Sequence, residues 1–389
     1  MNRAWPIMLT ISALTLSGCG LFGGGDDDPA EPPAELVDFS PSLRIDRRWS
    51  FNVGGDGEGK RLGLAPAADA GQVFAGGHGG KVVAVNAASG KRVWDTDTRL
   101  RFSAGPGVSD GLVVFGTSDG EVVALSGEDG SQRWRTNIGS EILASPSVSR
   151  SVVVVRSVDG RLHGLSAQDG GQLWLVEQSV PRLSLRGNAP PVIAGVTVVA
   201  GFDNGKLGAY DLTTGETNWE VALGAPQGRT ELERLVDISA GVQVIGDDVY
   251  GVGFQGRAVS IALETGMVLW QRELSSYAGL GADWNNVYVS DSDSEIVALN
   301  RRGGRPMWTH DGMRQRDLTA PTVLGEALAV GDFEGYLHWL SVDDGSLLAR
   351  TKAGGGRVTG APRLVDEMLV TQTDSGEVAA FSAKPRARR

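Results

Sequence analysis

The chain has 389 residues, with 36 Lys+Arg against 47 Asp+Glu and a formal net charge of −11. A hydrophobic content of 41% excludes wholesale disorder, and the acidic balance argues against a diffuse nucleic-acid-binding surface. Cys19 is the only cysteine, which excludes an intramolecular disulfide framework and any Cys-based zinc site; the 56 glycines follow no collagen period and point to many tight turns.

The first element is an address label. Arg3 and the free amine precede a mostly apolar stretch, 5–16, that is too short to span a bilayer. Leu16-Ser17-Gly18-Cys19 resembles the bacterial lipobox. The resemblance implies that 1–18 is a lipoprotein signal peptide and that Cys19 receives the lipid; the plainer alternative is a secretory signal with an incidental cysteine. At about 0.8 kcal/mol per buried CH2, two or three acyl chains anchor stably where one does not. Gly20 stands where an Asp would retain a lipoprotein at the inner membrane, so the sorting rule implies the periplasmic face of the outer membrane. Residues 19–42 read as the lipidated Cys and a flexible tether, since Gly23, Gly24 and Gly25, the run Asp26-Asp27-Asp28, and Pro29, Pro32 and Pro33 cannot pack a core.

From residue 43 the chain repeats itself. A turn glycine recurs at Gly80, Gly120, Gly160, Gly205, Gly256, Gly335 and Gly376, with Ser294 in the remaining slot. In the first seven repeats a second glycine follows ten residues later: Gly90, Gly130, Gly170, Gly215, Gly266, Gly304 and Gly345. Four residues further on stand Trp94, Trp134, Trp174, Trp219, Trp270 and Trp308, with Ala349 in the seventh slot. In the second repeat, Pro106-Gly107-Val108, 112–115, 122–125 and a segment beginning at 133–135 read as four short strands. Eight such units predict an all-β fold, an eight-bladed β-propeller of four-stranded antiparallel blades spanning 43–383, with a basic tail at 384–389. The eighth unit stops after its third strand, 378–381, and a spare strand, 47–51, lies at the front. Trp49 precedes Trp94 by 45 residues, about one repeat, so the N-terminal strand is expected to complete the last blade and close the ring. Trp49 and the six later tryptophans read as a packing ladder, because a cofactor cage needs only one copy.

Trp-to-Trp intervals along the central repeats are 40, 40, 45, 51 and 38, so the two connections after Trp174 and Trp219 are enlarged. Both follow the Trp strand and are expected on one face of the ring, where long loops on a rigid scaffold place binding. Leu183 and Leu185 alternate with Ser184 and end at Arg186, an apolar pair beside an arginine of the kind found in interface hot spots.

The block Ala209-Tyr210-Asp211-Leu212-Thr213-Thr214-Gly215-Glu216-Thr217-Asn218-Trp219 resembles the repeat of pyrroloquinoline-quinone (PQQ) enzymes, which also builds the BamB lipoproteins, accessory members of the outer-membrane β-barrel assembly machinery. Size, the absence of a vicinal Cys pair, and the lipobox with its tether favour the BamB family. So do Leu183-Ser184-Leu185-Arg186-Gly187 and Glu231-Leu232-Glu233-Arg234-Leu235-Val236-Asp237, both similar to BamB segments. The resemblance implies contact with the periplasmic (POTRA) domains of the insertase BamA through Leu183, Leu185, Arg186 and Asp237. Ser239 departs from the family's frequent second acidic residue. The expectation is a non-enzymatic scaffold without a cofactor; the alternatives are a quinone-dependent dehydrogenase-like propeller and a periplasmic propeller with another partner.

Other motifs dissolve on inspection. Gly107-Val108-Ser109-Asp110-Gly111 and Gly116-Thr117-Ser118-Asp119-Gly120 fit Gly-x-Ser-x-Gly, but no helix follows, so they read as hairpin turns. Gly54 to Lys60 mimics a P-loop with Arg61 in the Ser/Thr place. His78, His163, His310 and His338 fall in different repeats, and Asp291 and Asp293 begin a calcium-loop string that lacks its glycine. No catalytic or metal-ligating set is expected.

Overall fold

Short runs of Val, Ala and Leu bounded by Gly and Asp turns dictate the architecture. In blade after blade the centres of the two middle strands are buried on both faces, as in Val152–Arg156 and in Glu121–Ser126 after the half-buried Glu121. The outermost strand of most blades carries one buried aromatic, flanked on at least one side by a charged or polar residue in blades 1, 2, 4 and 5. The structure is a computed structural model that describes residues 31–386 except 56, 58, 188, 225–228, 231, 234 and 239. Cys19, the signal peptide, Glu231, Arg234, Ser239 and the last three residues of the basic tail lie outside the described residues.

Eight sheets follow one another along the chain, and among the described residues there is no helix. Blades 1 to 7 span 67–97, 102–137, 147–177, 192–222, 243–273, 279–310 and 322–352. Blade 8 is assembled from both ends of the chain: Leu43–Asn52 pairs antiparallel with Glu377–Pro385, beside Met368–Gln372 and Arg363–Val365. The eight-bladed ring with its N-terminal closing strand is therefore present. Blade 2 carries one strand beyond the expected four, Gly63–Leu64, parallel to Phe102–Ser109. The innermost strands surround an axial channel of about 1330 Å³.

A register shift recurs one residue before the Trp slot in every blade, between Gln132 and Trp134 in blade 2 and between Arg47 and Trp49 in the closing strand. Such a bulge re-aims the following side chain. Here it turns each indole onto the next blade. Trp134 Nε1 donates to Ala167 O at 2.9 Å, and Trp49 Nε1 does the same to Ala87 O at 2.8 Å across the closing seam. The second turn glycine is required by this contact: Gly130 has φ +74°, and a Cβ there would stand 2.6 Å from the Trp94 ring. The repeat glycine and the repeat tryptophan are thus two halves of one inter-blade joint. In blade 7 the pattern is displaced, with Ala349 in the slot and a fully buried Trp339 opposite it on the neighbouring strand.

The end of the segment expected to be a tether is held against the propeller. Ala34 N donates to Arg314 O (2.9 Å), Arg316 Nη1 to Ala34 O (3.0 Å), Arg350 Nη1 to Val37 O (3.1 Å) and Ser42 N to Leu348 O (2.9 Å). Arg316 is itself fixed by the buried Asp332, which also accepts from His338 Nε2 at 2.9 Å. Residues 34–42 therefore run along the outer edge of blade 7, because the buried Arg316 and the half-buried Arg350 reach out to their carbonyls.

Candidate functional site: a locked pair of connections

Within a blade the strands alternate in direction. The connection from one blade to the next therefore shares a face with the turn between the second and third strands. The enlarged connections 178–191, between blades 3 and 4, and 223–242, between blades 4 and 5, emerge on this common face. A buried cluster beneath them binds the two together. The Asp237 carboxylate accepts the Leu185 backbone N–H at 2.9 Å across 52 residues of sequence. Asp237 is in turn fixed by backbone bonds with Phe254, in the second-to-third-strand turn of blade 5. Arg156, ending the second strand of blade 3, pairs with Asp203 of blade 4; both are buried, and Arg156 Nη1 reaches Gly187 O at 3.4 Å.

The lock presents a defined surface. Leu183 and Leu185 are 41% and 38% exposed, and the Arg186 side chain reaches over Glu141 of the blade 2–3 connection to form an ion pair. Arg186 has φ +52°, a left-handed conformation that costs a non-glycine residue and persists where neighbours hold it. In the second connection, Thr230 and Glu233 cap one another's backbone amides (both 3.1 Å) and push Leu232 into solvent.

One expected contact residue lies beneath the surface. Asp237 is fully buried, and its carboxylate positions Leu185 from below. Burial, reinforced by Asp203, pushes its pKa up to about 6, against the opposing pull of the Leu185 N–H and Arg156. The sequence reading missed Arg156 and Asp203, which lie 47 residues apart and look like ordinary blade-edge charges in the sequence.

Among the described residues the histidines assemble no second centre. His163 and His338 occupy equivalent third-strand positions, both buried, and His338 is engaged by Asp332. Among the described residues no group of His, Cys, Asp and Glu is arranged to hold a metal ion, and no helix is long and apolar enough to cross a membrane.

Fold and site together define a closed eight-bladed propeller whose distinctive feature is a pair of enlarged connections tied to each other on one face. The sequence profile described as outer membrane protein assembly factor BamB matches residues 46–100, 78–310 and 293–388, and the chain belongs to the BamB family. The BamB of Pseudomonas aeruginosa is 44% identical over 373 residues, covering 96% of this chain and 97% of that relative. That of Xanthomonas campestris is 38% identical over 392 residues, covering 96% of each chain. The crystal structure of BamB from Moraxella catarrhalis superposes with a TM-score of 0.79 at 27% identity, covering 87% of this chain and all of that one. A quinohemoprotein alcohol dehydrogenase from Comamonas testosteroni also superposes, with a TM-score of 0.69 at 13% identity over 88% of this chain and 77% of that one, a likeness of fold alone.

Proposed function

We propose that the chain is a non-enzymatic scaffold of the outer-membrane β-barrel assembly machinery. A lipid on Cys19 holds it at the periplasmic face of the outer membrane. It docks on the POTRA domains of BamA through Leu183, Leu185 and Arg186. The observation that carries this reading is the Asp237–Leu185 bond. It joins two connections from different blade junctions into one preset surface, with an apolar pair and an arginine at its crest. A preordered surface loses little conformational entropy on binding, and Arg beside apolar anchors is the composition of interface hot spots. The relatives' shared designation as outer membrane protein assembly factors supports the assembly role. In this reading Asp237 acts through Leu185 and Arg186 touches the partner.

Arg186→Glu tests the assignment. The substitution removes a cation from the crest and sets a second carboxylate beside Glu141, at a side chain 62% exposed. Capture of the lipid-free chain (residues 20–389) by BamA POTRA domains is expected to weaken by at least about tenfold, with the thermal melt unchanged. Undiminished capture, or loss of folding, overturns the assignment.

A further inference from the structure

The outermost strand of any blade is a sheet edge, and natural edges carry charges that discourage further pairing. In this ring the two positions flanking the buried Trp slot project from the edge strand. At least one of the two is charged in blades 1, 2, 4, 7 and 8 (Asp95, Arg135, Glu220, Arg350 and Arg48) or polar in blades 5 and 6 (Gln271 and Thr309), while the other is an exposed apolar residue in blades 1, 5 and 6 (Val93, Leu269 and Met307). Blade 7 is in addition flanked by residues 34–42. Blade 3 alone has leucine at both places. Leu173 and Leu175, in Gln172–Glu177, are 52% and 40% exposed. The strand then runs directly into Val180, Leu183 and Leu185, all more than a third exposed. One unguarded edge thus leads into the apolar crest of the docking surface.

We infer that Gln172–Glu177 is a strand-addition site, taking an extended segment of alternating apolar and polar residues as a fifth strand of blade 3. Alternate backbone N–H and C=O groups of the edge would supply a ladder that is blind to sequence. Leu173 and Leu175 would supply selection for apolar side chains at every second residue, the pattern that defines membrane-spanning barrel strands. The occupant is a not-yet-folded strand of an outer-membrane barrel, and this identification rests on the assembly role proposed above. The other seven edges, guarded by charge, polarity or the N-terminal segment, would not compete.

The probe is a fluorescent synthetic peptide of about ten residues alternating Val or Leu with Thr or Ser. It is titrated against the mature chain prepared without lipid, alongside the same peptide N-methylated at alternate amides. The parent chain is expected to bind the first peptide and not the second. Leu173→Lys and Leu175→Lys, at exposed positions that leave the fold intact, are each expected to weaken binding by about tenfold. Equal binding of both peptides, or equal affinity of the parent and the Lys variants, overturns the proposal. Capture by BamA POTRA domains is measured in parallel. It is unaffected by Leu173→Lys if the docking crest is separate from the edge, so failure of strand addition and failure of the docking reading give different results.

Discussion

Replacing Trp134 by Ala is expected to lower the free energy of unfolding by about 3–5 kcal/mol, the cost of deleting a large buried aromatic whose site cannot collapse. The indole lies between blades 2 and 3, 6% exposed, and covers Gly170, where a Cβ would stand 2.6 Å from the ring. Its Nε1 satisfies the Ala167 carbonyl at 2.9 Å. Rigid strands on both sides prevent the gap from closing, so the cavity and the unpaired carbonyl remain. Trp134→Phe keeps most of the volume and loses the hydrogen bond, so its cost is expected at about 1–2 kcal/mol. Denaturant titration of the two variants reads both numbers. A loss below about 1 kcal/mol for Trp134→Ala would contradict the joint as described.

Asp237→Asn is expected to change the pH dependence of stability more than any other single exchange at the proposed docking surface. In the folded chain the Asp237 pKa is raised from 3.8 to about 6 by burial and the nearby Asp203. The folded state therefore holds this proton more tightly than the unfolded chain. The stabilisation is fully present below pH 3.8 and is lost as pH rises through 6. Above that, the parent carries a buried carboxylate whose cost approaches about 3 kcal/mol on a two-unit shift. Asn remains neutral and its side-chain oxygen still accepts the Leu185 N–H. The variant should thus be at least as stable as the parent at pH 7.5, with a flatter profile between pH 4 and 6. BamA capture should survive this change and fail in Asp237→Leu, which offers no acceptor. Loss of capture in the Asn variant, with stability unchanged, would instead mark the charge as a direct contact.

The ring was legible because its signal is periodic. Glycine, then glycine ten residues on, then tryptophan four further, encodes a turn, a joint and a strand with fixed offsets. The bulge before Trp49 shows that the first strand obeys the same rule as the other seven. The enlarged connections were legible as broken spacing. What escaped was the chemistry that needs three dimensions. The family resemblance picks out Asp237 as a contact residue but not its burial, which comes from the packing of blade 5 against the blade 3–4 connection. Arg156 and Asp203 pair because neighbouring blades bring equivalent turns together, and no local pattern announces that. Residues 34–42 have the composition of a linker, yet Arg316 and Arg350 recruit their backbone carbonyls through bonds that composition does not encode.

The most direct measurement places a photoreactive amino acid at Leu185 and, separately, at Val196. Val196 is 74% exposed in the first turn of blade 4, on the opposite face of the ring. Each chain is irradiated with BamA POTRA domains. A cross-linked product from position 185 and none from position 196 is the expected result. A product from 196 alone, or equal products from both, would contradict a docking surface built from the two locked connections.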